Sequence, residues 1–508
     1  MMRGTTRGTA GGLAVIAILA LGTSLLVRWK MRGDQGHLRA LLSAEIDRGS
    51  LVGLGRAQAI GRRVVLSNPE DRESAALLAF TGGLLATEFG QATINEAESA
   101  AARVEPAGAP PDGSAASAIA GAARALVALR RGDSGRALAL ATAAAAATSE
   151  TPYARCALGR VRAAAGDLAG ASHALEAAMV EAPGFLPAKL AWAEVRLDLG
   201  DGAAAKAVLE PIAAHAPEDI RARLLLDEAT QALAADPRLG AATTPASTSL
   251  EAACNQNGVL PPYVVAGCAL AASSRARFSG DRLRASTQSQ AAARTVPDEP
   301  RMLARTAQLL AQEGFVDKAE KLVDRAARFA AAQAPDLAWA RLAVTLGHGR
   351  VATAPPGQRP FDATTRVIAA RAAFAAGGPG ALSAALDGYG PVVVGRDADL
   401  RLLEGLAAPA TPPPATMGAP AGAAAAPATP HAAKESAAEH YVAGLRARIA
   451  GDLLGAAEHL SHALSGHADG CRAAGEYVAV LRALKRHPDA TAFNTLRADN
   501  AGCVNLPR

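Results

Sequence analysis

Residues 152–183 read PYARCALGRVRAAAGDLAGASHALEAAMVEAP, and the fold turns on how this stretch is punctuated. Gly166-Asp167 sits in its middle and Pro183 at its end, separating two alanine- and leucine-rich runs of about a dozen residues each. Glycine adopts the left-handed conformation cheaply and so ends a helix, and an aspartate directly after it can cap the next one. Proline cannot continue a helix, so Pro183 fixes the turn into whatever follows. The predicted unit is a pair of antiparallel helices, with Leu158, Gly159, Ala171, Leu175 and Ala178 on the faces that meet.

The same punctuation recurs. Gly132-Asp133, Gly166-Asp167 and Gly200-Asp201 are evenly spaced, and Gly314 follows Gly280-Asp281 at the same interval, a period of about 34 residues. Pro183 and Pro217 keep that interval, each half a period after a turn glycine, as Pro297 is after Gly280. Ala137, Ala171, Ala205, Ala285 and Ala319 each lie five positions after a turn glycine, and Gly451-Asp452 with Ala456 repeats the arrangement near the carboxyl end. A fixed period of this length marks a stacked repeat.

Composition agrees. A chain of 508 residues exceeds what one hydrophobic core organises. Half of it is apolar, yet aromatics make up only 3%, and about half of the apolar residues are alanine, which favours closely packed helices over a β-rich fold. Fifty-two basic against 47 acidic residues leave a net charge of only +5, too balanced for the basic stripe of a phosphate-backbone binder, so no nucleic-acid partner is expected.

The pattern of a small residue in helix A, a small residue early in helix B, a large apolar one four positions on, alanine three after that and a closing proline resembles the tetratricopeptide repeat family. Gly159, Ala171, Leu175, Ala178 and Pro183 match it fully. Ala193, Ala205, Leu209 and Pro217 match with Ile212 in place of the last alanine, and Gly444, Ala456, Leu460 and Ala463 match without the proline. The family's large aromatic positions are mostly absent. Clear units are expected at 118–151, 152–185, 186–219, 266–299, 300–333 and 437–470, with degenerate ones at 38–70, 72–109, 336–390 and 471–503. The expected fold is all-α, an α-solenoid of antiparallel helix pairs. Its first block spans 38–235 and its second 263–407, separated by a proline-containing loop at 236–262. A Pro/Ala-rich linker at 408–433 isolates the terminal repeats at 434–508.

Behind a short tail at 1–10, the uncharged stretch Gly8 to Val27 is long enough as a helix to cross a bilayer once, and a transmembrane anchor is expected at 11–28. Arg3 and Arg7 precede it, and Arg28, Trp29, Lys30 and Arg32 follow it. The competing reading is a cleaved signal peptide, with small residues at Ala20-Leu-Gly22, although the apolar run continues past them. Flanking charge favours a cytoplasmic domain, whereas the cysteines favour a periplasmic or other extracytoplasmic one. Cys254 and Cys268 bracket one loop, Cys471 and Cys503 bracket a helical hairpin, and Cys156 stands alone, a set compatible with disulfides in an oxidising compartment or with free buried thiols in a reducing one.

Chemistry-bearing motifs are sparse. Gly132-Asp-Ser-Gly135 copies the tetrapeptide around a serine-protease nucleophile but falls on the beat of the repeat, where a turn is the simpler reading. No phosphate loop, His-Glu-x-x-His or Cys-x-x-Cys occurs, and no cofactor is expected. Six of the ten histidines lie between 431 and 487; His459 and His462, one helical turn apart, suit either a shared divalent metal or a solvated helix face.

The resemblance implies a concave groove lined by the A helices, which would present Arg130, Tyr153, Arg160, Glu194, Asp198, Arg277, Phe278, Gln308, Tyr441 and Arg448. That mixed lining suits a protein or peptide ligand, and the lysine and asparagine set used to clamp a chaperone's terminal carboxylate is not at the matching positions. The expected function is a non-enzymatic, membrane-tethered scaffold for protein partners, in the assembly of a cell-envelope complex. The alternative is a metal-binding protein or enzyme using the His-rich C-terminal repeats, with the array as its frame; a pocket holding His440, His459 and His462 within coordination distance would favour it, and scattered histidines would dismiss it.

Overall fold

The computed structural model describes residues 35–105, 112–147, 151–216, 219–234, 250, 253–254, 260–278, 281–296, 298–330, 334–355, 360, 363–389, 398–407, 437–449, 451–465, 470–486 and 489–490. Among these every regular element is a helix. The expected transmembrane anchor at 11–28 and the linker at 408–433 lie outside the described residues.

Helices follow one another in pairs: 35–48 with Leu51–Ser67, Arg72–Phe89 with Ile94–Val104, Ala115–Arg130 with Ser134–Ala147, Pro152–Ala164 with Leu168–Glu181, and Leu186–Asp198 with Gly202–His215. Ile220–Ala234 ends this run. Pro262–Phe278 with Arg282–Thr295, Pro300–Gln312 with Val316–Ala326, and Pro335–Gly347 lead to Ala363–Tyr389 and Ala398–Ala407. Ala437–Ile449, Leu453–Ser465 and Gly470–Ala483 complete the described array. The first helix of each pair also packs on the first helix of the next, from Arg72–Phe89 through Ala115–Arg130, Pro152–Ala164 and Leu186–Asp198 to Ile220–Ala234, so these helices form one layer of a solenoid.

The turns work as their sequence dictates. Gly132, Gly166, Gly200, Gly314 and Gly451 have φ of 81°, 87°, 78°, 84° and 82°. At each Gly-Asp step the aspartate N–H reaches five residues back, as from Asp133 to Ala128 O, Asp167 to Arg162 O and Asp201 to Arg196 O, closing the preceding helix. The same aspartate then caps the following helix: Asp133, Asp167, Asp201 and Asp452 accept from the N–H of Arg136, Gly170, Ala204 and Gly455 at 2.9–3.0 Å. One dipeptide therefore stops one helix and starts the next. Between the helices, Ala171, Leu175 and Ala178 are fully buried, and Leu175 fills the space that the missing side chain of Gly159 leaves. The Gly444–Leu460 contact repeats this, with a Cβ on Gly444 falling 2.7 Å from Leu460 Cγ.

Within 336–390 the plan departs from a plain hairpin. Among the described residues, Thr364–Tyr389 is the one helix long and apolar enough to cross a membrane. Gly378, at φ 68° and followed by Pro379, breaks it, and Val367, Ile368, Phe374, Leu382 and Leu386 are packed into the protein. The terminal repeats fold back on the array: Val442 and Leu445 pack against the cluster of Val367, Phe374, Leu400 and Leu403, and Arg371 and Arg448 both meet Glu476.

The superhelix curls onto itself. Pro262–Phe278 touches Arg72–Phe89, Val264 joins the core of the first block, and Tyr263 lies against Gly90. A Cβ on Gly132 would fall 2.9 Å from Arg328 O, so the array meets itself again there. Cys254 and Cys268 form a disulfide with Cα atoms 5.9 Å apart, tying the chain before Pro262 to the helix that enters the superhelix. Cys156 is a buried free thiol, and the Cys471–Cys503 pairing lies outside the described residues.

Candidate functional site

Curling brings charged stripes face to face. Glu194 and Asp198 lie one turn apart on Leu186–Asp198, and Arg301 and Arg305 one turn apart on Pro300–Gln312, so each helix offers two like charges on one side. Arg301 pairs with Glu194, with Asp198 at 2.7 Å and with Asp336 at 3.2 Å. Arg305 pairs with Glu228 at 2.7 Å and Asp336 at 3.0 Å, with Asp198 at 3.7 Å. Arg221 continues the network to Glu194 at 2.8 Å and to Glu88, which also receives Arg160. These guanidiniums and carboxylates form one connected ladder that joins the first block to the second.

Two adjoining cavities of about 150 and 200 Å³ open beside this ladder, with Glu88, Glu194, Arg221, Tyr263, Arg301 and Met302 lining both. Burial pushes the Glu194 carboxyl up, but Arg301, Arg221 and Arg160 more than offset it, and the group titrates below the usual carboxylate range. Asp198 goes the other way: burial, helped by the Asp336 and Glu194 carboxylates, outweighs its arginines and raises it. Glu299, which caps Pro300–Gln312 through the Met302 N–H, is raised to about 7 by burial. At the rim, Arg130 pairs with Asp298 at 2.6 Å, donates to Ala86 O and lies over the Tyr263 ring at 5.6 Å.

The sequence-predicted groove residues divide into three groups. Arg130, Arg160, Glu194 and Asp198 are brought together, but they face the second block of their own chain and not an open groove. Tyr153 packs edge-on against Phe80 and Phe185 at 5.1 and 5.2 Å and Tyr441 is 3% exposed in a terminal core, so these two hold the fold together, whereas Gln308, buried and donating to Asp336 O, also lines the first cavity. Arg277 is likewise buried, meeting Gln312 and Glu313, and Arg448 pairs with Glu476 away from the cavities. Phe278 is the last residue of the helix Pro262–Phe278, and its side chain lies outside the described residues. The physical reason is curvature: spacing within a repeat records which way a residue faces, whereas the path of the superhelix decides what packs over it.

Glu88, Arg221, Glu228, Arg301, Arg305 and Asp336 were not identified from sequence. The complementary pairs Glu194/Asp198 and Arg301/Arg305, each one helical turn apart, carried the only signal, and it needs the curl to become a contact.

Among the described residues, no group of three or more His, Cys, Asp or Glu side chains is arranged to hold a metal ion. His440, His459 and His462 do meet, ring against ring, whereas Ser134 begins the helix Ser134–Ala147 directly after the Gly132-Asp133 turn, as the turn reading requires.

Comparison with known proteins bears on the repeat. No curated protein matches the chain. Among solved structures it is similar to Naa15/Naa10 bound to HypK-THB (14% identity, 92% of this chain and 69% of that one, TM-score 0.27) and to the P58(IPK) TPR domain (14%, 85% and 93%, 0.20). It is also similar to yeast Tom70 (11%, 92% and 90%, 0.27). Residues 162–229, which contain the central turns of the fourth and fifth helix pairs and most of the helix facing the cavity, match the tetratricopeptide repeat family.

Proposed function

We propose that this protein is a non-enzymatic scaffold that binds protein partners through the charged inner surface of its superhelix. The observation that carries the reading is the ladder from Glu88 to Asp336: separate helices, from Arg72–Phe89 to Pro335–Gly347, deliver fixed, hydrogen-bonding charges to two adjoining cavities. An interior of this kind recognises polar groups in a set geometry and gives orientation more than bulk affinity.

The scaffold is tethered to a membrane by residues 11–28, and its repeats work on the periplasmic or extracytoplasmic side, in assembling an envelope complex. The Cys254–Cys268 disulfide supports an oxidising compartment. Tethering confines the repeats to a thin layer and so raises their effective concentration toward membrane partners.

The test is photo-crosslinking of the full chain in its membrane, with a benzophenone amino acid at Gln231 or Ala330 beside the cavities and at Val180 on the outer surface. One protein captured from both cavity positions and not from Val180 supports the reading. Equal capture at all three, or none, overturns it. Release of the chain by alkaline carbonate without detergent removes the tether.

A further inference from the structure

The Gly451-Asp452 turn folds Leu453–Ser465 back along Ala437–Ile449, and the Gly444–Leu460 contact holds the two helices close. That approach brings together three imidazoles from separate turns. His440 and His459 face each other with their Nδ1 atoms 3.4 Å apart and ring centroids 5.7 Å apart. His462, one turn beyond His459, stacks on His440 at 5.0 Å with the planes 28° apart.

Two nitrogens at 3.4 Å are long for an N–H···N hydrogen bond, and one ring would have to donate while the other accepts. The separation suits a different bridge: two nitrogens each about 2.0–2.1 Å from a tetrahedral ion lie ~3.3–3.4 Å apart. We infer that His440 and His459 form a chelate for a first-row divalent metal ion, with His462 stacked on His440 to hold its ring plane. Among the described residues no larger set of ligating side chains is arranged around the pair. Neutral imidazoles with open positions favour Cu²⁺ over Ni²⁺ and Zn²⁺ in the usual order of stability. The site lies in the terminal repeats and is independent of the partner-binding reading of the cavities.

The experiment uses the full chain in detergent. Cu²⁺ and Zn²⁺ are titrated calorimetrically into the wild type and into His440→Gln, His459→Gln and His462→Gln, and the Cu²⁺-loaded wild type is examined by electron paramagnetic resonance. The expected result is a saturable site lost in His440→Gln and in His459→Gln, and weakened about tenfold in His462→Gln, as for a residue that orients a ligand. The copper spectrum shows coupling to at least two nitrogens. Binding that survives both of the first two substitutions overturns the site, as does a wild type without a saturable site. Should thermal melts show that either variant is unfolded, the wild-type spectrum decides, and coupling to fewer than two nitrogens overturns it.

Discussion

Arg301 and Glu194, 107 residues apart in the chain, form an ion pair across the inside of the superhelix. Arg301 also serves Asp198 and Asp336, so its removal leaves Glu194 to Arg221, and Asp198 and Asp336 to Arg305. Arg301→Met is expected to destabilise the protein by about 3 kcal/mol, because removing one member of a buried ion-pair network costs more than the pair contributes. Equilibrium urea unfolding measures the loss, and small-angle scattering should show a larger radius of gyration as the two blocks part. Adding Glu194→Met to the same chain should recover part of the loss; strict additivity would show that the pair does not couple the blocks.

Stability should fall as pH rises toward neutrality. The Glu299 carboxyl keeps its proton in the fold to about pH 7, whereas an unfolded chain releases it near the ordinary range of about 4.3. Between those values the folded state binds the extra proton, so each step up in pH favours unfolding. Asp198, also raised, adds in the same direction, and the lowered Glu194 and Glu228 oppose it only at more acidic pH. Glu299→Gln, which keeps an oxygen for the Met302 N–H, should flatten this decline in unfolding curves between pH 5 and 7.5; an unchanged slope would exclude Glu299 as its source.

The turn dipeptide can be divided by mutation. Gly166→Ala forces a side chain onto a backbone with φ 87° and should cost about 1–2 kcal/mol. Asp167→Ala removes the cap on the Gly170 N–H and should cost about 1 kcal/mol. Gly159→Ala drives a methyl into Leu175 and should cost about 1–3 kcal/mol through overpacking. Thermal melts rank the three, and a neutral Gly159→Ala would mean that the two helices separate easily.

The Cys254–Cys268 bond closes a short loop, with a sequence separation of 14, which stabilises the fold by about 3 kcal/mol in the loop-entropy view. Alkylation of the unreduced, denatured chain should leave this pair unmodified, and a faster-migrating band should shift on reduction. Modification of both cysteines without reductant would remove the support for an oxidising compartment.

Much of the helical plan was legible because its signals are local. Gly166 needs only its own φ, Asp167 only the N–H three residues on, and Leu175 only the gap at Gly159 one helix away. The kink at Gly378 was less legible, since an apolar run with glycines and a proline reads equally as a loose helix or a broken one. Of the predicted groove, inner-face placement could be read for Arg160 and Glu194. Tyr153 and Tyr441 pack into cores, since spacing records the direction a residue faces and carries no information on what packs over it.

Short-range conformational preference, repeated at one fixed interval, determined that this chain folds as stacked helix pairs with glycine-aspartate turns. Only the tertiary structure decided that Pro262–Phe278 packs against the first block, that Arg301 and Arg305 answer Glu194 and Asp198, and that three histidines converge at the end of the Ala437–Ile449 and Leu453–Ser465 pair away from its turn. Small rotations between successive pairs add up along a solenoid, and no single repeat encodes their sum.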